Sequence, residues 1–406
     1  MNKKSIIKNI ISFGIVDFIG VAIPIITMPI LTRSIGLELY GVYLLFTTIL
    51  TFGFTVIDYV VHYVGVRSVA KTSENKKKTI LKYINFQQIR LILLMVYILC
   101  VAAYCSIYQR AYFYLFVGNG AIYLLGYFFS SPWFFQAINK VSLLAISSLI
   151  SRLCSLVFIL FFIKNESDFF VLFYVSSVPV LIAGLGMRYL LFCNYGIGIM
   201  GRFKLHTILS YFKNGYGVFI GILAPNFYNA IPVMYLAGVS NQQEFAKFAI
   251  AMRVCGLIYI IQNVYSKAIY PFLSRSKINY VKTLLLVNGF FSCSVAIFLA
   301  LFGQNILEFI LNIDYSDGGF YLNTLLISMI FVGAANSYSQ GFFLPRGFDY
   351  IFRDVSVIVS SISGISCFFL IYLYGVIGAV GGIFFARLLF FIFYGFNYFK
   401  LTNRFI

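Results

Sequence analysis

Charge is scarce in this chain, and each scarcity removes a class of function. Only 10% of the 406 residues are charged, against roughly 25% in soluble domains. There are two histidines, His62 and His206, and a single tryptophan. No HExxH, no carboxylate pair at catalytic spacing and no glycine-rich phosphate loop occurs, so the chain lacks the signatures of a metalloprotease, a glycosidase or a nucleotide-driven pump. Energy for any transport would have to come from an ion gradient, the membrane potential or removal of product. The seven cysteines lie in or beside apolar stretches without metal-ligand spacing. They read as small apolar residues, with no disulfide framework, no metal and no cofactor expected.

What the chain has instead is apolar length. It is 61% hydrophobic and 19% aromatic, with a mean hydropathy of +0.93. A helix needs about 20 residues to cross a ~30 Å hydrocarbon core. Runs of that order fall at 10–31, 41–64, 91–107, 111–131, 141–163, 169–191, 215–236, 245–269, 283–302, 320–342, 355–373 and 377–398. Membrane barrel strands alternate over about ten residues and produce no such runs. The expectation is an all-α integral membrane protein of about 12 transmembrane helices. The opening MNKKSIIKNI has the look of a signal-peptide n-region, but the run behind it is long and contains Asp17, Pro24 and Pro29. We expect it to stay as the first membrane helix.

The formal net charge of +18 raises the possibility of a nucleic-acid partner, and its distribution argues against one. Among the 30 Lys and Arg, Arg152, Arg253 and Arg387 fall deep inside apolar runs, while Arg188, Lys247 and Lys267 fall near the ends of theirs. Only Arg33, Arg110, Lys164 and Lys247 fall on the side opposite the N-terminus. The rest, including Arg90 and Arg188, are assigned to N-terminal-side segments. Such a bias sets orientation and predicts both termini cytoplasmic. Membrane lipid headgroups are a secondary partner for the surplus charge. The longest polar links are 67–90 and 194–214. The second follows six runs, so the expected division is an N-lobe over 1–193, a cytoplasmic linker over 194–214 and a C-lobe over 215–406. Two prolines interrupt the first run (Pro24, Pro29) and two the seventh (Pro225, Pro232), and matched broken helices are a pointer to a transporter binding site.

The three intramembrane arginines are the main functional signal. A guanidinium stays protonated, and intramembrane charges usually face a bundle interior or a wet cavity. Arg152 shares a face with Ser148 and Ser155; Arg253 shares one with Ala246, Ala249 and Gly256. Arg387 has apolar helical neighbours, Ile383, Phe384 and Phe390. Together they predict a net-positive cavity suited to an anionic substrate; helix packing through backbone carbonyls is the alternative. Asn226, Asn229 and Gln340 supply amides for sugar hydroxyls or for joining helices. Two acids lie at comparable depth. Asp17, on a face with Gly14 and Gly20, would either carry a proton or sodium ion or pair with Arg152 or Arg253. Asp58 lies on a stripe with Thr48, Thr51, Thr55 and His62, spaced 3, 4, 3, 4, so all share one helix face. Asp58 and His62 form either a proton-sensitive pair or a headgroup-level pair, while the threonines line a wet wall or bond their own carbonyls.

Three stretches then carry a family resemblance. They are Pro29-Ile-Leu-Thr-Arg33-Ser-Ile-Gly36-Leu-Glu38-Leu-Tyr40-Gly41, followed by Asp58-Tyr59 and Gly65-Val-Arg67; Ser131-Pro132-Trp133-Phe134-Phe135-Gln136-Ala137; and Ala251-Met-Arg253 with Tyr270-Pro271. With these the chain resembles the Wzx-type O-antigen flippases, of the polysaccharide transport branch of the multidrug/oligosaccharidyl-lipid/polysaccharide exporter superfamily. Ala137 departs slightly from the family's usual glycine. The resemblance implies a MATE-like pair of six-helix bundles, alternating access, and an undecaprenyl-diphosphate-linked oligosaccharide substrate flipped across the bacterial inner membrane. It implies a diphosphate-binding role for Arg253, and polymerase and chain-length proteins of the same pathway as partners. The competing readings are a MATE-like small-molecule exporter, whose cations three arginines would repel, and a membrane enzyme of the same pathway, a polymerase or acyltransferase, which would want a large outer loop. A passive scaffold would leave the buried charges unexplained.

Overall fold

A computed structural model describes residues 3–59, 61, 65–70, 72, 75–138, 140–196, 210, 219–220, 223–273, 279–312 and 314–402, the side chains of 3–19, 21–22, 67, 70, 141, 263–272 and 349 apart. The described residues are helical throughout, in an all-α integral membrane fold. The helices are α1 (Lys3–Ile57), α2 (Val66–Ala70), α3 (Lys76–Tyr108), α4 (Gly120–Ser130), α5 (Pro132–Ala137), α6 (Val141–Phe162), α7 (Phe169–Tyr195), α8 (Asn226–Val239), α9 (Gln242–Leu273), α10 (Val281–Leu311), α11 (Ser316–Tyr338) and α12 (Asp349–Thr402). Among them, seven helical stretches are long and apolar enough to cross a bilayer.

Two of these helices are double. α1 runs 55 residues but breaks at Gly36 (φ 79°, ψ 167°), and α12 runs 54 residues but breaks at Gly375 (φ 55°, ψ −127°). Both backbones are in a region that L side chains avoid and glycine enters freely. Each break falls in the short polar or small-residue gap between two predicted runs, so each long helix covers a pair of them. Pro24 and Pro29 sit inside α1 as expected. Pro225 differs: it occupies the N-cap of α8, leaving Pro232 alone inside that helix.

The chain forms two compact units, one of Met1–Gly36 with Phe46–Phe219, the other of Leu37–Leu45 with Ile220–Ile406. The expected boundary lay at 194–214, and no sequence signal marked Leu37–Leu45 for the second unit. Its reason is packing. Gly41 faces Ala246, where an added Cβ would lie 2.9 Å from the alanine Cβ, and Gln243 donates to Glu38 at 2.8 Å.

In the first unit α4 and α7 cross at glycines. A Cβ on Gly184 would collide with the Gly126 carbonyl, and one on Gly126 would lie 2.6 Å from the Val180 carbonyl oxygen. Small residues at a crossing let membrane helices approach to backbone contact. The outward faces are apolar. Phe161, Leu99, Phe290, Phe309 and Tyr372 are among the large side chains left exposed, which suits a surface solvated by lipid. At the start of α7 the Asp168 carboxylate accepts the Lys164 and Asn165 backbone N–H groups, both at 3.0 Å. Those bonds favour the charged form and hold its pKa below the ordinary value.

Candidate functional site

The polar side chains buried in the first unit are organised around Arg90. Its Nε donates to Asp58 Oδ1 at 2.8 Å, and both side chains are almost fully enclosed. Nη1 donates to Gln87 Oε1 (2.8 Å) and the Phe128 carbonyl (2.9 Å). The second Asp58 oxygen accepts the Tyr127 hydroxyl at 2.5 Å. From Gln87 the chain of bonds runs to Ser131 Oγ (2.8 Å) and Tyr83 (3.1 Å), and Arg188 on α7 donates to the Tyr83 hydroxyl at 3.3 Å. Desolvating a charge in an apolar interior is tolerable only when it is paired and hydrogen-bonded, and here both conditions hold.

This corrects the sequence expectation at Arg90 and Arg188. Arg90 and Arg188 are not in solvated links: Arg90 is fully buried and Arg188 is nine-tenths buried. α3 begins at Lys76, so Arg90 lies about four turns inside a helix whose apolar run starts one residue later. Asp58 is 5% exposed and held by Arg90 and Tyr127. His62 lies outside the described residues. On the same stripe, Thr51 is exposed and donates to the Thr47 and Thr48 carbonyls of its own helix.

The tryptophan-containing motif belongs to the same cluster. Ser131 adopts a left-handed backbone (φ 44°), which turns the chain sharply between α4 and α5 and presents its hydroxyl to Tyr83 at 3.0 Å. Trp133 is fully buried against Tyr83 and Phe86, with ring centroids at 5.7 and 5.6 Å. The motif therefore closes a corner of the helix bundle.

Arg152, also in the first unit, is half-buried on α6 and pressed against α1 at Gly20, where a Cβ would collide with Nη1. Asp17 precedes Gly20 by three residues, and its side chain lies outside the described residues.

The second unit holds the other predicted residues. Arg253 on α9 is half-buried and donates from Nη1 to the hydroxyl of fully buried Tyr40 at 3.2 Å. Two of the resemblance-carrying stretches thus meet: the Tyr40-Gly41 pair lies along α9, and its hydroxyl steadies the arginine. Arg387 on the second half of α12 is 7% exposed and faces a cavity of about 410 Å³. Asn229 and Gln340 line the same cavity, so three of the six predicted substrate residues are brought together; Arg253, Asn226 and Arg152 are not on its wall. Five elements build it. α8 gives Tyr228 and Asn229, α9 gives Gly256 and Tyr259, α11 gives Asn336, and α12 gives Ser356 and Tyr394 beside Arg387. The π-helical turn Ser339–Phe343, just after α11, rotates Ser339 and Gln340 into the wall.

Arg387 Nη1 donates to Ser328 Oγ (2.7 Å) and the Leu325 carbonyl (3.5 Å). Nε and Nη2 have no acceptor among the described residues, and none of the described residues on the cavity wall is an Asp or Glu. Sequence reasoning gave Ser328 and the cavity tyrosines no role at the site and did not say what Tyr40 touches. Ser328, Tyr228 and Tyr259 come from other helices than Arg387, and Tyr40 from another helix than Arg253, so spacing along one helix does not reveal them. Tyr394, two turns from Arg387 on α12, was within reach of that signal.

The chain is similar over residues 6–277 to a family described as polysaccharide biosynthesis proteins. It is 24% identical over 393 residues to an Escherichia coli (strain K12) protein named "Putative O-antigen transporter", covering 93% of each chain. A Shigella dysenteriae protein of the same name is 22% identical over 396 residues, covering 94% of this chain and 97% of that one. In fold the chain is similar to a multidrug resistance MATE family transporter in an inward-facing conformation, with a TM-score of 0.75 at 12% identity, covering 97% of this chain and 95% of that one. It is also similar to the lipid II flippase MurJ in an inward closed conformation, with a TM-score of 0.73 at 12% identity over 96% and 87%.

Proposed function

The chain belongs to the polysaccharide biosynthesis protein family, and from that premise we propose that it is a flippase, not an enzyme. Its substrate is an undecaprenyl-diphosphate-linked O-antigen oligosaccharide, moved from the cytoplasmic to the periplasmic leaflet of the bacterial inner membrane by alternating access. Both termini are cytoplasmic on this reading, following the Lys/Arg bias. Two relatives named as O-antigen transporters support the substrate class.

One observation carries the reading. Arg387 is a buried guanidinium that faces a cavity, with two donor atoms unengaged and no carboxylate on the wall among the described residues. A fixed cation left uncompensated in a low-dielectric setting is costly unless an anion arrives to meet it. Arg253, held by a neutral hydroxyl, presents the same kind of charge elsewhere in that unit. A guanidinium binds phosphate through two parallel N–H bonds and stays charged when desolvated. Arg253 is assigned to the diphosphate, and Arg152 is taken as a substrate-binding residue of the first unit. The Arg387 cavity, with Asn229 and Gln340, is assigned to the glycan.

Transport is coupled to an ion gradient through Asp17. The motivation is its place one turn from Gly20, against which Arg152 packs; an acid that alternates between a proton or sodium ion and a guanidinium links the gradient to the substrate site. Asp58 is better placed to hold α1, α3 and α4 together, since both its oxygens are engaged. Polymerase and chain-length proteins are the expected pathway partners.

The test is transfer of a fluorescent lipid-diphosphate-oligosaccharide across vesicles containing the purified protein, with and without an imposed proton or sodium gradient. Transfer above that of empty vesicles, lost or made gradient-insensitive by Asp17→Asn, is the expected result. Transfer of a small cationic drug and none of the lipid-linked glycan would return the chain to the exporter reading.

A further inference from the structure

We propose that the cavity of the second unit is a subsite for a single carboxylated sugar residue, a uronate or similar acidic monosaccharide, within the transported glycan. This rests on the flippase reading and specifies the chemistry of its glycan end.

The size comes first. At about 410 Å³ the cavity lies at the small end of ligand sites, which run roughly 300–1,000 Å³. One monosaccharide fits; an oligosaccharide with its lipid carrier does not.

The charge comes second. Among the described residues Arg387 is the one cation on the wall, and none of them there is an Asp or Glu. Its Nη1 is committed to Ser328 and Leu325, which fixes the plane of the guanidinium. The edge bearing Nε and Nη2 is left as a two-pronged donor. That edge matches one carboxylate bidentately. A diphosphate carries about two charges or more, and the cavity offers a single fixed cation, so the second phosphate would be desolvated without a partner.

The remaining wall suits a sugar ring. Tyr228, Tyr259 and Tyr394 provide flat apolar surface with hydroxyl tips. Asn229, Asn336 and Gln340 add amide groups to the wall, the side-chain type that meets sugar hydroxyls. Asn336 is the telling one. Its Nδ2 is buried and has no hydrogen-bond partner among the described residues. A buried donor left unpaired costs about 1–3 kcal/mol, and a rotation of the amide toward the cavity would let a ligand hydroxyl supply the acceptor.

The experiment uses the full chain purified in detergent, probed by saturation-transfer NMR with free glucuronate, glucose and inorganic pyrophosphate. Glucuronate and glucose have nearly the same shape and differ in the carboxylate. Glucuronate is expected to bind about tenfold more tightly than glucose, the scale of a charge-assisted hydrogen-bond pair. Pyrophosphate is expected not to displace it. Arg387→Gln should bring the two sugars to equal affinity. Asn336→Asp, which places a negative charge on the same wall without altering Arg387, should weaken glucuronate more than glucose and so narrow the preference; it serves if Arg387→Gln does not fold. Equal binding of glucose and glucuronate by the unaltered protein overturns the proposal, as does displacement of glucuronate by pyrophosphate, or a preference that survives both substitutions. Because binding is read without transport, failure of the vesicle assay with retained Arg387-dependent glucuronate binding would count against the flippase reading alone.

Discussion

Arg90 in the first unit and Arg387 in the second are both buried guanidiniums on long apolar helices, and their surroundings are opposite. Arg90 has a carboxylate at 2.8 Å, an amide oxygen, two backbone carbonyls and two aromatic rings about it. Arg387 has one serine hydroxyl, one long carbonyl contact and an empty space in front of it. Depth and residue type do not separate the two. Saturation does: a buried charge whose donors are all engaged holds helices together, and one with donors facing a cavity is available to a ligand.

The largest effect should come from breaking the saturated cluster. Asp58→Ala leaves Arg90 as an unpaired buried charge, which typically costs about 3–5 kcal/mol. The expected outcome is a sharp drop in thermal stability in detergent and in membrane yield. Asp58→Leu combined with Arg90→Met removes both charges and should restore most of the stability. If the single substitution is as stable as the parent, the cluster is not holding the unit together.

Arg253 offers a second contrast. Arg253→Ala should abolish surface glycan at unchanged membrane abundance, because the residue is half-buried and held by one neutral hydroxyl. Arg253→Lys should retain part of the activity, since a point charge replaces a fork. Tyr40→Phe should fall between them by loosening the guanidinium. A collapse in abundance for Arg253→Ala would move that arginine into the same class as Arg90.

The sequence made some of this legible and hid the rest for a physical reason. Periodicity and apolar length locate helices, and the glycine-containing gaps located the breaks at Gly36 and Gly375. Arg387 was found by its depth, although Ile383, Phe384 and Phe390 around it on the helix argued for an apolar setting. The polar groups that matter to it, Ser328 and Asn336, come from α11, and spacing along one helix does not report on another. Arg90 failed in the opposite way. It borders its apolar run, so it was taken for a flanking charge, whereas α3 extends well beyond that run. Leu37–Leu45 joins the second unit through Tyr40 and Gly41, residues that the family resemblance singled out without saying what they touch. Asp17 and His62 fall where side chains are outside the described residues.

Smaller effects test the frame on which both arginines are hung. Gly184→Leu would drive a side chain into the Gly126 backbone and separate α4 from α7. A cost of about 1–3 kcal/mol is expected for such overpacking, seen as lower thermal stability, while Gly186→Leu, at a position open to space, should be neutral. The smallest effect lies at the cap of α7. The Asp168 carboxyl is held below its ordinary pKa of 3.8 by two backbone N–H groups. Its contribution is present above about pH 4 and is lost as the pH falls through the lowered folded value. Amide exchange in the first turn of α7 should therefore accelerate only at strongly acidic pH, and Asp168→Asn should remove that dependence.

The most direct measurement compares the two arginine environments in one assay. Rates of lipid-diphosphate-oligosaccharide transfer would be recorded in vesicles for the parent protein, Arg253→Ala, Arg387→Gln and the Asp58→Leu/Arg90→Met pair, at equal reconstituted protein. The account predicts loss of transfer for the first two variants and retention for the charge-free pair. Transfer at the parent rate by both Arg253→Ala and Arg387→Gln would contradict it, and would return all of these arginines to helix packing.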